Sequence, residues 1–449
     1  MPSFHPRALV SRAARLVCLG CVAGVAACSS QDAGTLEIVT GAETDTFTRD
    51  PAAVKLEVDA VDSAGNKTSL ATTALPATTI DLGKLDETLI YTFQITATDA
   101  ANERVAYGQS VPFELGVLQG VTVPIFVQRT GDLARMPGPL PDARHAPLLA
   151  IFEGRYLLVA GGSDPALAMQ TQIYDFASFA ALPSPPVLTL APTSDALFGT
   201  VALFIDSGGN GQFYDFSSST PSTATPPAGH AFADVAGGAT VVATDGTQYI
   251  VGATRSTGAP TDAVLFIDAT GALTWETLYA PRLGAAATWI AGRGLVVAGG
   301  NPTAPGVEVV STGATTGTAF SYPADDTTGA GATALDTEHI LLAGGLTGAG
   351  DDPGVRSVDL TCTQQCAAVA WPALPAALAS AQLFASDATD ALAIGDDGAA
   401  TTHVYVLSPS APVTELDTRI PLSGARAVVS PVGSVVLFGG ASTLESFVP

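Results

Sequence analysis

The chain is dominated by one short string that keeps returning. Leu157-Leu158-Val159-Ala160-Gly161-Gly162 recurs as Leu295-Val296-Val297-Ala298-Gly299-Gly300, as Ile340-Leu341-Leu342-Ala343-Gly344-Gly345 and as Val435-Val436-Leu437-Phe438-Gly439-Gly440. Weaker copies end at Gly208-Gly209, Gly252 and Gly395. The first glycines then stand at 161, 208, 252, 299, 344, 395 and 439, spaced by 47, 44, 47, 45, 51 and 44 residues. An apolar run closed by glycine at this period is too long for a leucine-rich or ankyrin repeat and matches four-stranded propeller blades.

Each unit carries a further strand after the glycines, such as Gln172-Ile173-Tyr174-Asp175-Phe176, Val307-Glu308-Val309-Val310 and Leu444-Glu445-Ser446-Phe447. A weaker closing strand ends in proline, as in Phe179-Ala180-Ala181-Leu182-Pro183, Phe320-Ser321-Tyr322-Pro323 and Val369-Ala370-Trp371-Pro372. The last unit reaches only its third strand before Pro449. Residues 131–137, Gly-Asp-Leu-Ala-Arg-Met-Pro, have the closing-strand pattern and no preceding unit of their own. This predicts a ring over 131–449 closed by strand 131–137, which removes exposed sheet edges. The glycines count seven units. Because Ala239–Ala243 reads either as a first strand or as part of a second, six or eight blades stay open.

These residues resemble the kelch family. The likeness lies in the four clean diglycines, the aromatic or acidic third strands, Trp275 and Trp371 in fourth strands, and Arg144, Arg282 and Arg426 at the unit entries. It covers about 320 residues and implies an all-β, seven-bladed kelch-like β-propeller. Kelch-like rings include binding scaffolds and, in the galactose-oxidase group, a copper enzyme, so the resemblance leaves function open.

Upstream, Thr35–Val39, Val54–Val61, Thr78–Leu82, Tyr91–Ala97 and Val121–Val127 alternate apolar and polar residues between turns such as Asp62-Ser63-Ala64-Gly65-Asn66. That pattern predicts a small immunoglobulin-like β-sandwich over 35–130, without the paired cysteines and central tryptophan of a true immunoglobulin domain. It reads most simply as a spacer.

At the start, Arg7, Arg12 and Arg15 precede an apolar stretch of about a dozen residues ending in Val25-Ala26-Ala27-Cys28. This is a secretory signal over 1–27. Its end resembles the bacterial lipobox, which implies lipidation at Cys28, a short tether over 28–34, membrane attachment through lipid alone and, with Ser29 next, an outer-membrane lipoprotein of the cell envelope. The competing reading is an ordinary exported protein cut near Ala27. Without the signal, 15 basic residues face 42 acidic ones, a balance that argues against nucleic acid as partner.

Cys362 and Cys366, spaced C-x-x-x-C, suit a local disulfide in an oxidising compartment better than redox or zinc chemistry. His145, His230, His339 and His403 fall in different units and read as structural. Asp206-Ser207-Gly208-Gly209-Asn210-Gly211 lacks the spacing of a calcium loop. No catalytic residue, cofactor or metal ligand is assigned. The expectation is a non-enzymatic protein whose ring loops bind a protein or glycan; the alternative is a carbohydrate-active or oxidative enzyme with its site at the axis.

Overall fold

Apolar alternation along Ile90–Thr98 buries Tyr91, Phe93, Ile95 and Ala97 on one face, and these meet Leu56, Val58 and Ala60 of the neighbouring strand. Across from them lie Leu36, Val123 and Ile125 of a second sheet. Each such side chain contributes about 1.5–3 kcal/mol when fully buried. The computed structural model from which this is read describes residues 35–449 apart from 75–78, 82–84, 86–87, 115–120 and 184. The signal, Cys28 and the tether to 34 lie outside the described residues.

The first of the two amino-terminal sheets orders Thr79–Asp81, Thr35–Val39 and Thr122–Phe126, the last pair parallel. The second orders Lys67–Ala74, Lys55–Asp62, Ile90–Thr98, Arg104–Gln109 and Gln128–Arg129, with Phe113–Glu114 paired to Ile90–Tyr91. Two of the longer strands, Lys67–Ala74 and Arg104–Gln109, escape the sequence pattern, as do the two-residue Phe113–Glu114 and Gln128–Arg129. The first is rich in threonine and alanine and the second contains Gly108, so neither shows a strong apolar face.

From residue 133 onward the described residues form seven four-stranded antiparallel sheets in a propeller-like arrangement. The first comprises Leu148–Phe152, Tyr156–Ala160, Thr171–Asp175 and Ala180–Ala181. The third has Ala239–Val242 and Gln248–Val251 as separate first and second strands. The innermost strands touch in sequence, and Leu148–Phe152 touches Arg426–Val429 of the last sheet, so the series closes on itself. The last sheet draws its outer strand from the other end of the ring. Leu133, Ala134 and Arg135 pair with Phe447, Ser446 and Glu445.

The diglycines sit where two entry segments crowd the end of a second strand. At Gly300, φ is +71° and an added Cβ would lie 2.8 Å from the Leu283 carbonyl oxygen, in the segment entering the same sheet. At Gly299, φ is +79° and the Cβ would lie 2.6 Å from the Thr327 carbonyl oxygen, in the segment entering the next sheet. Only glycine meets both demands. The freed amides are used: Gly300 donates to Thr327 O at 2.8 Å, Gly345 to Leu378 O at 2.8 Å, and Gly440 to Arg144 O at 2.7 Å, the last spanning the closure. Side-chain amides cap inner strand edges in a similar way. Gln248 exchanges hydrogen bonds with the backbone of Leu197, and Gln382 with that of Ala427.

The sandwich is docked on the ring rather than hung from it. Thr122–Phe126, Gln128–Arg129 and Leu133–Arg135 follow one another with almost no connecting chain, each in a different sheet. Val111 and Phe126 share a core with Met136, Phe179, Val436 and Phe438. Gln128 Nε2 donates to Ser446 O at 2.9 Å, and Asp132 accepts from both Arg49 and Arg419.

Candidate functional site

A polar clamp recurs at several entry segments, and it accounts for several residues that sequence reading leaves without a role. A polar residue at the start of the third strand reaches back to the segment arriving from the previous sheet. Gln212 accepts from Thr189 N at 2.9 Å, Glu445 accepts from the amides of Arg419 and Ile420, and Glu308 accepts from Tyr279 N. Arg144 donates to Gly161 O at 2.6 Å and Arg282 to Gly299 O at 2.6 Å. Arg426, grouped with these two by its place in the sequence, does something else: it lies in an innermost strand and donates to Ala425 O. Burial lowers the pKa of both Arg144 and Arg426.

Cys362 and Cys366 are joined by a disulfide with a Cα–Cα distance of 5.7 Å. It closes the turn after Val355–Asp359, and Cys366 packs with Tyr322 in the core between the fourth and fifth sheets.

The four ring histidines are not gathered. His145 Nδ1 lies 3.0 Å from Ser423 Oγ, His230 Nδ1 3.5 Å from Asp234, and His339 Nδ1 2.9 Å from Asp336 Oδ2. Desolvation opposes it, but Glu415 and Asp397 on either side hold His403 above the usual imidazole range. Among the described residues no group of three or more His, Cys, Asp or Glu side chains is placed to hold a metal. In the Asp206 turn, Oδ1 accepts from the amides of Gly208 and Asn210 and Oδ2 from Asn210 Nδ2, so the carboxylate serves the turn itself.

A groove opens instead between the first and second sheets, with a volume of about 380 Å³, toward the lower end of the range for ligand pockets. Phe152, Tyr156, Ile173 and Leu182 form one wall and Tyr214 and Phe216 the other. Pro183, Pro185 and Pro186 run along its outer side, and Glu153, Ser217 and Ser219 line its lip. The rings pack on one another: Phe152 and Phe216 stack at 5.0 Å between centroids, and Phe152 meets Tyr156 at 5.1 Å.

The closing strand ends early beside the groove. Leu182 donates its amide to Ile173 O and packs against the core between the first two sheets. The prolines that follow cannot extend the ladder because they lack an N–H, and the core between these sheets stays open at its edge.

Arg155 fixes the charge beside the groove. Its guanidinium makes two 2.7 Å hydrogen bonds to Asp175 and lies 5.0 Å over the Tyr156 ring. Against the cost of desolvation, those bonds hold the Asp175 carboxyl below its usual range, while burial raises Tyr156. Sequence reading places Tyr214 and Phe216 in a third strand but gives no sign of the groove. The signal lies in the Pro183, Pro185, Pro186 run that follows Leu182.

The sequence matches no family model and no curated protein. Among solved structures, a chain of "YCF48 bound to D1 peptide" is 10% identical with a TM-score of 0.46, over 71% of this chain and 95% of that one. A chain of "Crystal Structure of Mitotic Checkpoint Complex" is 15% identical with a TM-score of 0.45, over 71% and 94%. Likenesses this slight carry no argument, and the propeller-like architecture rests on the strand pairing itself.

Proposed function

We propose that this chain is a non-catalytic binding protein, a seven-bladed kelch-like ring whose groove between the first two blades takes an exposed segment of a partner protein. One observation carries the reading: the aromatic-walled core between the first two sheets is left open to solvent beside Leu182 and the Pro183, Pro185, Pro186 run. Apolar, aromatic-lined concavities with a few polar groups at the rim are the usual form of a binding site. The groove lies on the flank between two blades, away from the axis that an enzymatic site was expected to occupy.

The direct test is Leu182→Trp in the full chain, screened beside the wild type on peptide and glycan arrays. Selective peptide hits that vanish in the variant support the proposal. Hits on glycans alone, or hits unchanged by the substitution, contradict it.

The proposal extends to location. The lipobox-like Val25-Ala26-Ala27-Cys28 would place the protein on the bacterial outer membrane through lipid at Cys28. Cys28→Ser should then release it from the membrane fraction; persistence of the variant in that fraction would rule the anchor out.

A further inference from the structure

We infer that the groove accepts a basic side chain, arginine or lysine, carried on an extended peptide, with its methylene stem along the aromatic wall and its charged head at Glu153. This rests on the groove being a binding site, as proposed above.

Charge is the first reason. Three ionised groups stand at or beside this end of the groove: Glu153, Asp175 and Arg155. Arg155 is committed to Asp175 through both nitrogens, which cancels that pair and leaves the carboxylate of Glu153. Glu153 is exposed and has no hydrogen-bond or ion-pair partner among the described residues. A whole-chain net charge of −24 adds a field that concentrates cations and repels acidic segments.

The walls supply the second reason. Aromatic faces attract guanidinium and ammonium groups, and a long basic side chain lays its stem on apolar surface while its head stays wet. Beside the groove, Arg155 over Tyr156 is an example of that contact.

Backbone geometry is the third. Glu153 adopts φ +52° and the adjoining Gly154 φ +57°. Such hairpin turns favour asparagine or aspartate before glycine. Here a glutamate is held in that left-handed conformation at the lip. Ser219, on the opposite wall, is likewise at φ +55°, and its hydroxyl makes no hydrogen bond among the described residues. It is placed to accept from a ligand amide or ammonium.

The test titrates the full chain at low salt with acetyl-Ala-Pro-Arg-Pro-Ala-amide and with the same peptide carrying citrulline, the neutral isostere of arginine. The arginine peptide should bind about tenfold more tightly. Glu153→Gln should bring the two affinities together without weakening the citrulline peptide, and Leu182→Trp should abolish both. Equal wild-type affinities, a ratio untouched by Glu153→Gln, or no binding of the arginine peptide overturns the inference. If the two peptides bind alike and Leu182→Trp abolishes both, the groove reading stands and only the charge assignment falls. If Leu182→Trp binds both as the wild type does, the groove reading itself fails. Co-sedimentation with phosphatidylcholine vesicles in the absence of peptide binding would replace the peptide with a lipid headgroup.

Discussion

Arg282 and Glu308 form an ion pair in which both side chains are fully enclosed, tying the segment that enters the fourth sheet to that sheet's third strand. At the matching place in the first sheet Arg144 is equally enclosed, Gln172 stands at the strand position of Glu308, and the Nε and Nη2 of Arg144 find no partner among the described residues. The same fold position therefore exists with and without its counter-charge.

Removing one half of a buried pair strands the other, so Glu308→Ala should cost about 3–5 kcal/mol. Gln172→Ala removes one hydrogen bond, from Nε2 to the Asp142 carboxylate, and should cost less, about 2 kcal/mol. Denaturant midpoints of the two variants check the contrast, and equal losses would mean that the ion pair adds nothing beyond a neutral clamp.

Acid pH should stabilise the protein down to about pH 5. Burial pushes Asp195, Glu276 and Glu445 up to about 7 each. In the unfolded chain these groups titrate near 4, so between about pH 4 and 7 the folded state binds more protons and stability falls as pH rises. Carboxylates held low, such as Asp215 at about 2 and Asp175 below its usual range, add a constant term across this window. Melting temperature should fall from pH 5 to 7 and level off above, and Asp195→Asn should flatten the slope. A melting temperature that climbs from pH 5 to 7 would contradict the assignment.

The Cys362–Cys366 disulfide closes a very short loop, for which the chain-entropy account gives about 2 kcal/mol. Replacing both cysteines with serine should lower stability by that amount. The loss should match the effect of reductant on the wild type, and chemical denaturation with and without reductant measures it.

Ring closure depends on a three-residue strand. Ala134, opposite Ser446 in the middle of that strand, is nearly fully buried. Ala134→Pro should cost about 3 kcal/mol or more by removing a ladder donor and distorting the edge. Because Asp132, Gln128 and Phe126 join the sandwich to the same seam, the two parts should melt together in the wild type and separate in this variant. Differential scanning calorimetry shows either outcome.

Much of the architecture was legible because the repeat speaks at two levels. The apolar runs at Leu157, Leu295, Ile340 and Val435 mark second strands by composition, and the glycines after them mark a crowding that no other residue tolerates. Counting exposes a shortfall in the last unit, and the pairing of Leu133–Arg135 with Glu445–Phe447 fills it. The closing strands lie earlier in places than their aromatic residues suggest. Phe320, Tyr322 and Pro323 stand out in sequence, yet the ladder is made by Thr318 and Ala319, and the aromatics lie in the segment that packs beneath it.

The clamps and the groove were not legible, for a physical reason. Gln212, Glu308 and Glu445 look like unrelated polar residues until the strands are in register and share a direction toward the entry segment. Arg426 shows the converse, since its position in the sequence groups it with Arg144 and Arg282 while the strand that carries it gives it a different partner. The groove depends on how two neighbouring sheets meet beside Leu182 and its prolines, and a leucine followed by proline is unremarkable until both sheets are in place.

The most direct measurement of the central claim is the affinity of the full chain for a peptide selected on the wild type, compared with Leu182→Trp at equal thermal stability. Filling the groove should weaken binding at least tenfold while leaving the melting temperature within a few degrees. Unchanged affinity in a variant that folds normally would place the binding surface elsewhere on the ring.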